Sequence, residues 1–362
     1  MTSGPVRQSH PPRVVLVTGA SRYLGAQVAA RLAADPRIER VIGLDDHPPT
    51  GELATLLDDA VEFVRADIRT PEPAAVIAAN GVEAVVHLAV ASAADPRAGG
   101  RAAMKELNVI GTMQLLAACQ QAPGLRKIVF RSSTAAYGAS FRDPAVFTEG
   151  TEAREVPRGG FARDVLDIEG YLRGFRRRRP DVGATVLRFA PLIGHRADTS
   201  LARYFSLPFV PTVWGRDPRL QFIHADDALE ILHRSVIEDH PGTFNVAGAG
   251  VITLSQAVRR AGRVAVPVLE RGMAAMAQVR RMADFSLDQL DLFVHGRVVD
   301  TTALIDEYGF TPRPTPVAFA DFLRGTGTGA VLPREAIGAL ERSLLAGLRQ
   351  ARNALSGSEV ST

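Results

Sequence analysis

The 362-residue sequence predicts an α/β fold built on a doubly wound parallel sheet, followed by a smaller C-terminal region. Three observations carry this. Short apolar runs such as Val14–Val17 lack the alternation of a half-buried strand and suit strands covered on both faces. Helical periodicities separate those runs in turn, and strands alternating with helices imply parallel pairing. A glycine-bearing turn, Thr18–Gly25, lies between the first strand and the first helix.

Taken in order, that turn leads into a helix carrying Val28, Ala29 and Leu32. Val41–Leu44 forms the second strand and ends at Asp45; Val61–Val64 forms the third and ends near Asp67. Ala84–Leu88 is the fourth, running into Ala89. A helix over Lys105–Gln120 leads to a fifth strand, Lys127–Phe130, ending in Ser132-Ser133-Thr134. A helix over about Arg163–Arg176 leads to the sixth strand, Ala184–Phe189. Beyond Pro191 the pattern loosens, punctuated by Pro208, Pro211 and Pro218. Val251–Arg263 reads as a helix opened by Thr253 or Ser255, Met273–Met282 as another, and Ala320–Arg324 closes the compact part. Ile337, Leu340, Leu344, Leu348, Ala351 and Leu355 recur at threes and fours. They predict an amphipathic helix docked on its own domain or on a partner subunit.

Composition narrows the function classes. With 46% hydrophobic and 22% charged residues, disorder of the whole chain is excluded. The net charge is only +3, and just two of the 42 basic residues are lysines, Lys105 and Lys127, so no nucleic-acid partner is expected. The lone Cys119 excludes a disulfide framework and a cysteine metal cluster, and reads as a core residue. His224 with Asp226 and Asp227 reads as a helix cap rather than a metal site, and His195 and His295 lack ligand-like companions, so no metal is expected. No apolar run is long enough to span a membrane, and Met1–Pro12 lacks the apolar core of a signal peptide. The expectation is a cytoplasmic protein.

The turn after the first strand carries Gly19 and Gly25, with Ser21, Arg22, Tyr23 and Leu24 between them. Glycine there lets backbone N–H groups approach a pyrophosphate, and the following helix N-terminus adds partial positive charge. Asp45 stands at the tip of the second strand, 20 residues past Gly25. A carboxylate there accepts hydrogen bonds from adenosine ribose hydroxyls and repels a 2′-phosphate, which favours NAD over NADP.

Seven blocks in order extend this reading: Thr18–Gly25, Ala66–Arg69, His87–Ala89, Asn108–Thr112, Ser132–Gly138, Phe222–Asp227 and Thr243–Gly248. Over about Arg13–Arg324 the chain resembles an extended short-chain dehydrogenase/reductase of the NAD-dependent epimerase/dehydratase family. The resemblance implies a Rossmann-type sheet, Asp67 and Ile68 flanking the adenine, and Leu88, Ala89 and Asn108 along the cofactor. It also implies Ser133 as the catalytic serine, and a sugar-like or other small hydroxylated substrate. The expected organisation is a disordered tail over 1–12 and an NAD(P)-binding domain over 13–190. A substrate-binding region over 191–328 follows, with segments at about 221–248 returning to the first domain, then an amphipathic helix and tail over 329–362. A homodimer is the macromolecular partner to test.

The departures from the family pattern are specific. Arg22 replaces the middle glycine of the loop. In the classical short-chain variant an arginine at that spot reaches a 2′-phosphate, so Arg22 argues for NADP; Asp45 carries more weight because a strand tip is better fixed. The family pairs a tyrosine base with a lysine four residues on, which lowers the tyrosine pKa from the same helix face. Here Phe161 and Val165 stand in register, and neither is ionisable. No other Tyr-x-x-x-Lys exists, because the positions four before the two lysines hold Arg101 and Pro123. Asp164 shares a helix face with Phe161 and is the nearest substitute acid, although an acid near a helix start reads first as solvated. Pro191 and Leu220 replace an asparagine and an arginine that contact the nucleotide in UDP-galactose 4-epimerases, with Arg219 one residue off. Arg173 and Arg176–Arg179 read as a solvated helix end. Two readings follow: an epimerase/dehydratase-like oxidoreductase with displaced acid/base chemistry, or a non-catalytic NAD(P)-binding sensor or scaffold.

Overall fold

A computed structural model describes residues 10–95, 98–155, 157, 160–194, 200–269 and 287–325. Most of the N-terminal tail, the Met273–Met282 helix and the 329–362 segment lie outside the described residues, as does His195.

The strands are β1 (Val14–Thr18), β2 (Arg40–Asp45), β3 (Glu62–Arg65), β4 (Ala84–His87), β5 (Lys127–Ser133), β6 (Gly183–Phe189), β7 (Leu192–Ile193), β8 (Phe209–Val213), β9 (Arg219–Leu220), β10 (Ile223–His224), β11 (Gly242–Val246), β12 (Ile252–Thr253) and β13 (Val264–Val268). The helices begin with α1 (Tyr23–Ala33), α2 (Glu52–Leu57), α3 (Glu72–Asn80), α4 (Gly100–Lys105), α5 (Thr112–Gln121) and α6 (Gly160–Arg178). They continue with α7 (Ser200–Ser206), α8 (Ala225–Ile237), α9 (Leu254–Arg260), α10 (Leu287–His295), α11 (Thr302–Tyr308) and α12 (Thr315–Gly325).

Seven strands form one sheet in the order β11-β6-β5-β4-β1-β2-β3. Every pairing in it is parallel, which makes this a doubly wound, Rossmann-type α/β fold. Alternate strand residues serve its two faces. Leu16, Ile128 and Phe130 pack with Leu115, Leu116, Phe161, Ile168 and Phe175 from α5 and α6. Val15, Val17 and Val129 pack with Val28, Leu32, Leu229 and Leu232 from α1 and α8. Cys119 is buried within the first of these clusters, and its desolvation pushes the thiol up to about 12.

The buried stripe of α6 runs Phe161, Val165, Ile168, Leu172 and Phe175, at spacings of four, three, four and three. Phe161 and Val165 thus extend an ordinary apolar face. The continuous helix expected over Lys105–Gln120 is instead α4, a wide π-turn over Glu106–Gly111, and then α5. Such a turn shifts side-chain phase within a helix and is frequent near functional sites.

Past β6 the chain builds a second core from Tyr204, Phe205, Leu220, Phe222, Leu254, Phe293 and Phe319. Tyr204 stacks on Phe293 with ring centroids 3.9 Å apart. The chain returns to the main sheet as β11, alongside β6. Thr253, not Ser255, opens α9, through a capping box with Gln256. His224 caps α8 by accepting the Asp226 amide hydrogen.

Candidate functional site

Strand order reverses between β1 and β4, so the crevice at their C-terminal ends is where a doubly wound sheet takes a dinucleotide. The loop from β1 to α1 borders it. Gly19 has φ +77°, and a Cβ there would lie 2.9 Å from the Ala89 amide nitrogen. A Cβ on Gly25 would lie 2.0 Å from the Gly19 carbonyl oxygen. Only glycine allows these contacts between loop, helix start and the segment after β4. Arg22 needs no such freedom: φ −103° and ψ 154° are extended backbone open to any residue. Among the described residues no side chain caps α1, and the Leu24 and Gly25 amides of its first turn are donors suited to a pyrophosphate.

Asp45 is buried and accepts from the Ser21 and Asp46 amides, each at 3.0 Å. Burial pushes its carboxyl up, and the Arg22 charge is the largest influence opposing that. Arg22 therefore sits electrostatically beside the acid that it contests on cofactor choice. Asp67 faces Arg69, whose Nε approaches to 2.9 Å; burial works against ionisation there, but Arg69 holds the carboxyl below its usual range. Ile68 is buried beneath Gly111, where a Cβ would come within 2.6 Å of its Cδ1.

The Leu88 and Ala89 amides donate to Thr18 Oγ1 at 3.2 and 3.4 Å. Thr18 also hydrogen-bonds His87 Nδ1 at 2.7 Å, and His87 Nε2 meets Thr112 Oγ1 at 2.9 Å. Burial first, then Arg22 and Arg131, pushes His87 down to about 3, so it is a neutral support at pH 7. Asn108 ties down the same segment: it accepts from the Ala91 amide at 2.8 Å and donates to the Ala91 carbonyl at 2.9 Å. Its amide also donates to Asp164 at 3.0 Å.

Asp164 is the clearest correction to the sequence reading. It is not a solvated helix-start acid but is fully buried, held by Arg101 Nη1 at 2.7 Å and Nη2 at 2.5 Å. Its charge is spent on Arg101 and Asn108. Arg179 corrects a second expectation: it is not solvated but caps the α5 end, donating to the carbonyls of Cys119, Gln120 and Ala122 at 3.1 Å each.

At the tip of β5, Ser133 borders a cavity of about 130 Å³ with Arg131, Phe161, Phe189, Pro191, Phe293 and Arg297. Ser133 Oγ accepts from the Ala135 amide at 3.1 Å, which leaves its hydroxyl hydrogen for a ligand. Among the described residues lining this cavity there is no Asp, Glu, His, Lys, Tyr or Cys. The chain's two lysines stand elsewhere: Lys105 is exposed on α4, and Lys127 is buried, donating to the Val236 carbonyl at 2.9 Å. Tyr137 donates to Asn245 at 2.6 Å, Tyr204 to the Pro211 carbonyl at 2.5 Å, and Tyr308 bonds Ser235 at 2.7 Å.

Sequence reasoning missed Arg101, Arg131, Arg297 and a buried network behind Ser133. In that network Ser132 donates to Glu169 at 2.5 Å, and Glu169 pairs with Arg188 at 2.7 Å. Only Arg131 carried a legible signal, because strand alternation puts it on the same side as Ser133.

Comparison with known proteins places these features in context. The sequence model of the NAD dependent epimerase/dehydratase family matches residues 15–247. An uncharacterized protein of Mycobacterium tuberculosis is 48% identical over 329 residues, covering 89% of this chain and 87% of the relative. UDP-glucose 4-epimerase 3 of Oryza sativa is 29% identical over 227 residues, covering 59% of this chain and 60% of the relative. Among solved structures, the UDP-glucose 4-epimerase of Thermotoga maritima, determined with UDP-glucose, superposes with a TM-score of 0.67 at 18% identity, covering 86% of this chain and 98% of that one. The dTDP-glucose 4,6-dehydratase of Bacillus anthracis, determined with NAD, gives 0.66 at 16%, covering 87% and 97%.

Proposed function

The chain belongs to the NAD-dependent epimerase/dehydratase family, and from that premise we propose that it binds NAD and a small hydroxylated, sugar-like ligand while lacking the family's proton-transfer pair. The uncapped α1 start would face the pyrophosphate, and Asp45 would accept from the adenosine ribose hydroxyls. Asp45 favours NAD, and NADP is the alternative that Arg22 leaves open. Leu88 and Ala89 would lie along the cofactor, with Tyr23 at the mouth of the crevice. Bound nicotinamide would supply the hydride acceptor. Ser133 would hold a ligand hydroxyl, and Phe161 would offer that hydroxyl a hydrocarbon edge.

The observation that carries this reading is the composition of the cavity wall. Removing a hydride from a carbinol carbon requires that the hydroxyl proton leave with it, and a placed base contributes typically 10²–10⁴-fold. The wall offers hydroxyls and arginines; of the carboxylates behind it, Glu169 accepts from Ser132 and is paired with Arg188, and Asp164 is locked by Arg101. Hydroxyls at their ordinary pKa do not accept protons at pH 7, and arginine does not release them.

The test is calorimetric titration with NAD, followed by a search for reduced nicotinamide with a panel of sugars, UDP-sugars and small alcohols. Saturable NAD binding without reduction is expected. Reduction that disappears in Ser133→Ala would overturn the impaired-chemistry reading. Absence of NAD binding would overturn the reading altogether.

A further inference from the structure

The tip of β5 presents Arg131 and Ser133 on the same side of the strand, two residues apart. Both border the cavity that Phe161 closes, with Leu24 of α1 in the same wall. Arg131 is half-buried, and its Nη1 donates to the Val90 carbonyl at 2.8 Å. That bond ties the side chain to the segment after β4. It uses one of the five N–H groups of the guanidinium fork, and among the described residues no other hydrogen bond engages the rest. No carboxylate among the described residues pairs with Arg131, and the charge acting on it is the like-charged Arg22.

Partly buried cations are ordinarily paired, so two neighbouring guanidiniums, one without a counter-ion, are unfavourable in the free protein. The arrangement suits a site completed by an anionic, acceptor-rich ligand. The fold specifies where that ligand would run, because the crevice opens between β1 and β4 and β5 is the next strand along. Arg22 acts on Asp45 and Asp46, at the adenosine end. Arg131 stands with Ser133, at the reaction end.

We propose that Arg131 is the cation that grips the nicotinamide half of bound NAD, through its phosphate and ribose hydroxyls, from strand β5. It gives there the anchoring that Val165 cannot give from α6. Burial first, then Arg22, pushes the Arg131 guanidinium down to about 10, so it is still protonated at neutral pH. The assignment rests on the NAD-binding reading and adds to it a residue outside the family's tyrosine–lysine pair.

The test uses the full chain and calorimetric titration with NAD and with AMP, which carries only the adenosine half. Arg131→Met is expected to weaken NAD binding by ~10- to 100-fold, as loss of a charge-assisted contact does, and to leave AMP affinity unchanged. Arg131→Lys keeps the charge but not the fork and is expected to fall between wild type and Arg131→Met. Arg131→Gln serves as the uncharged variant if the methionine protein does not fold, with a thermal melt as the control. Unchanged NAD affinity in the uncharged variant would overturn the proposal and leave the NAD reading intact. An equal loss for AMP and NAD would also overturn it, because the effect would then be spread over the whole crevice. A wild-type protein that binds no NAD would overturn both.

Discussion

Removing Arg101 is expected to destabilise this protein more than removing the charge of its partner. Asp164 has no exposed surface, whereas the Arg101 side chain is 39% exposed. The carboxylate accepts two hydrogen bonds from Arg101 and one from Asn108. In Arg101→Met the carboxylate stays buried with one amide donor. Breaking a buried pair from that side costs about 3–5 kcal/mol, and Asp164 has no route to water. In Asp164→Asn the guanidinium left behind still bonds the Gly160 carbonyl at 2.7 Å and reaches solvent, so the loss is about 1–2 kcal/mol. The double variant is expected to recover much of the Arg101→Met deficit, because no charge then remains in the core. Urea unfolding of all four proteins at pH 7 measures these differences. Equal losses in the two single variants, or a larger loss in Asp164→Asn, would refute the assignment of Asp164 as a locked structural anion. The same assignment requires NAD affinity to be unchanged in Asp164→Asn.

Other consequences can be read independently. His87 falls from 6.5 to about 3 on burial, so between those values the unfolded chain binds a proton that the folded chain does not. Stability is therefore full above pH 6.5 and is lost as pH falls through that window, by about 1.4 kcal/mol per pH unit relative to His87→Gln. Parallel pH profiles for the two proteins would rule this out. Gly25→Ala puts a methyl 2.0 Å from the Gly19 carbonyl oxygen. It should cost about 1–3 kcal/mol or more in a thermal melt and weaken NAD binding, because the loop itself must shift. A wild-type melting point and affinity would show that the loop packs differently.

Strands β1 to β6 were legible in the sequence as short apolar runs, whereas β11 interrupts its apolar residues with Thr243 and Asn245 and was read only as a motif block. Strand ends were less legible. The reading of β5 stopped at Phe130, yet Arg131, Ser132 and Ser133 continue the ladder beside Leu187, Arg188 and Phe189. Backbone pairing extends a strand past the point where its side chains turn polar. The two-residue strands β7, β9, β10 and β12 form only through distant partners and leave no local periodicity. The π-turn that brings Asn108 inward has no distinct signature either. That Phe161 and Val165 carry no ionisable atom was plain from the sequence. The fate of Asp164 was not, because its partner lies 63 positions away and salt bridges leave no spacing rule.

The central claim is that this crevice binds cofactor while its cavity wall lacks a proton acceptor. Its most direct test is a single-turnover comparison of wild type with Phe161→Tyr/Val165→Lys. Each protein is loaded with stoichiometric NAD and mixed with the same panel of sugars, UDP-sugars and alcohols. Absorbance of reduced nicotinamide is followed. None is expected from wild type, and a ligand-dependent signal is expected from the double variant. Ser133-dependent reduction by the wild-type protein, at a rate the double variant does not exceed, would contradict it.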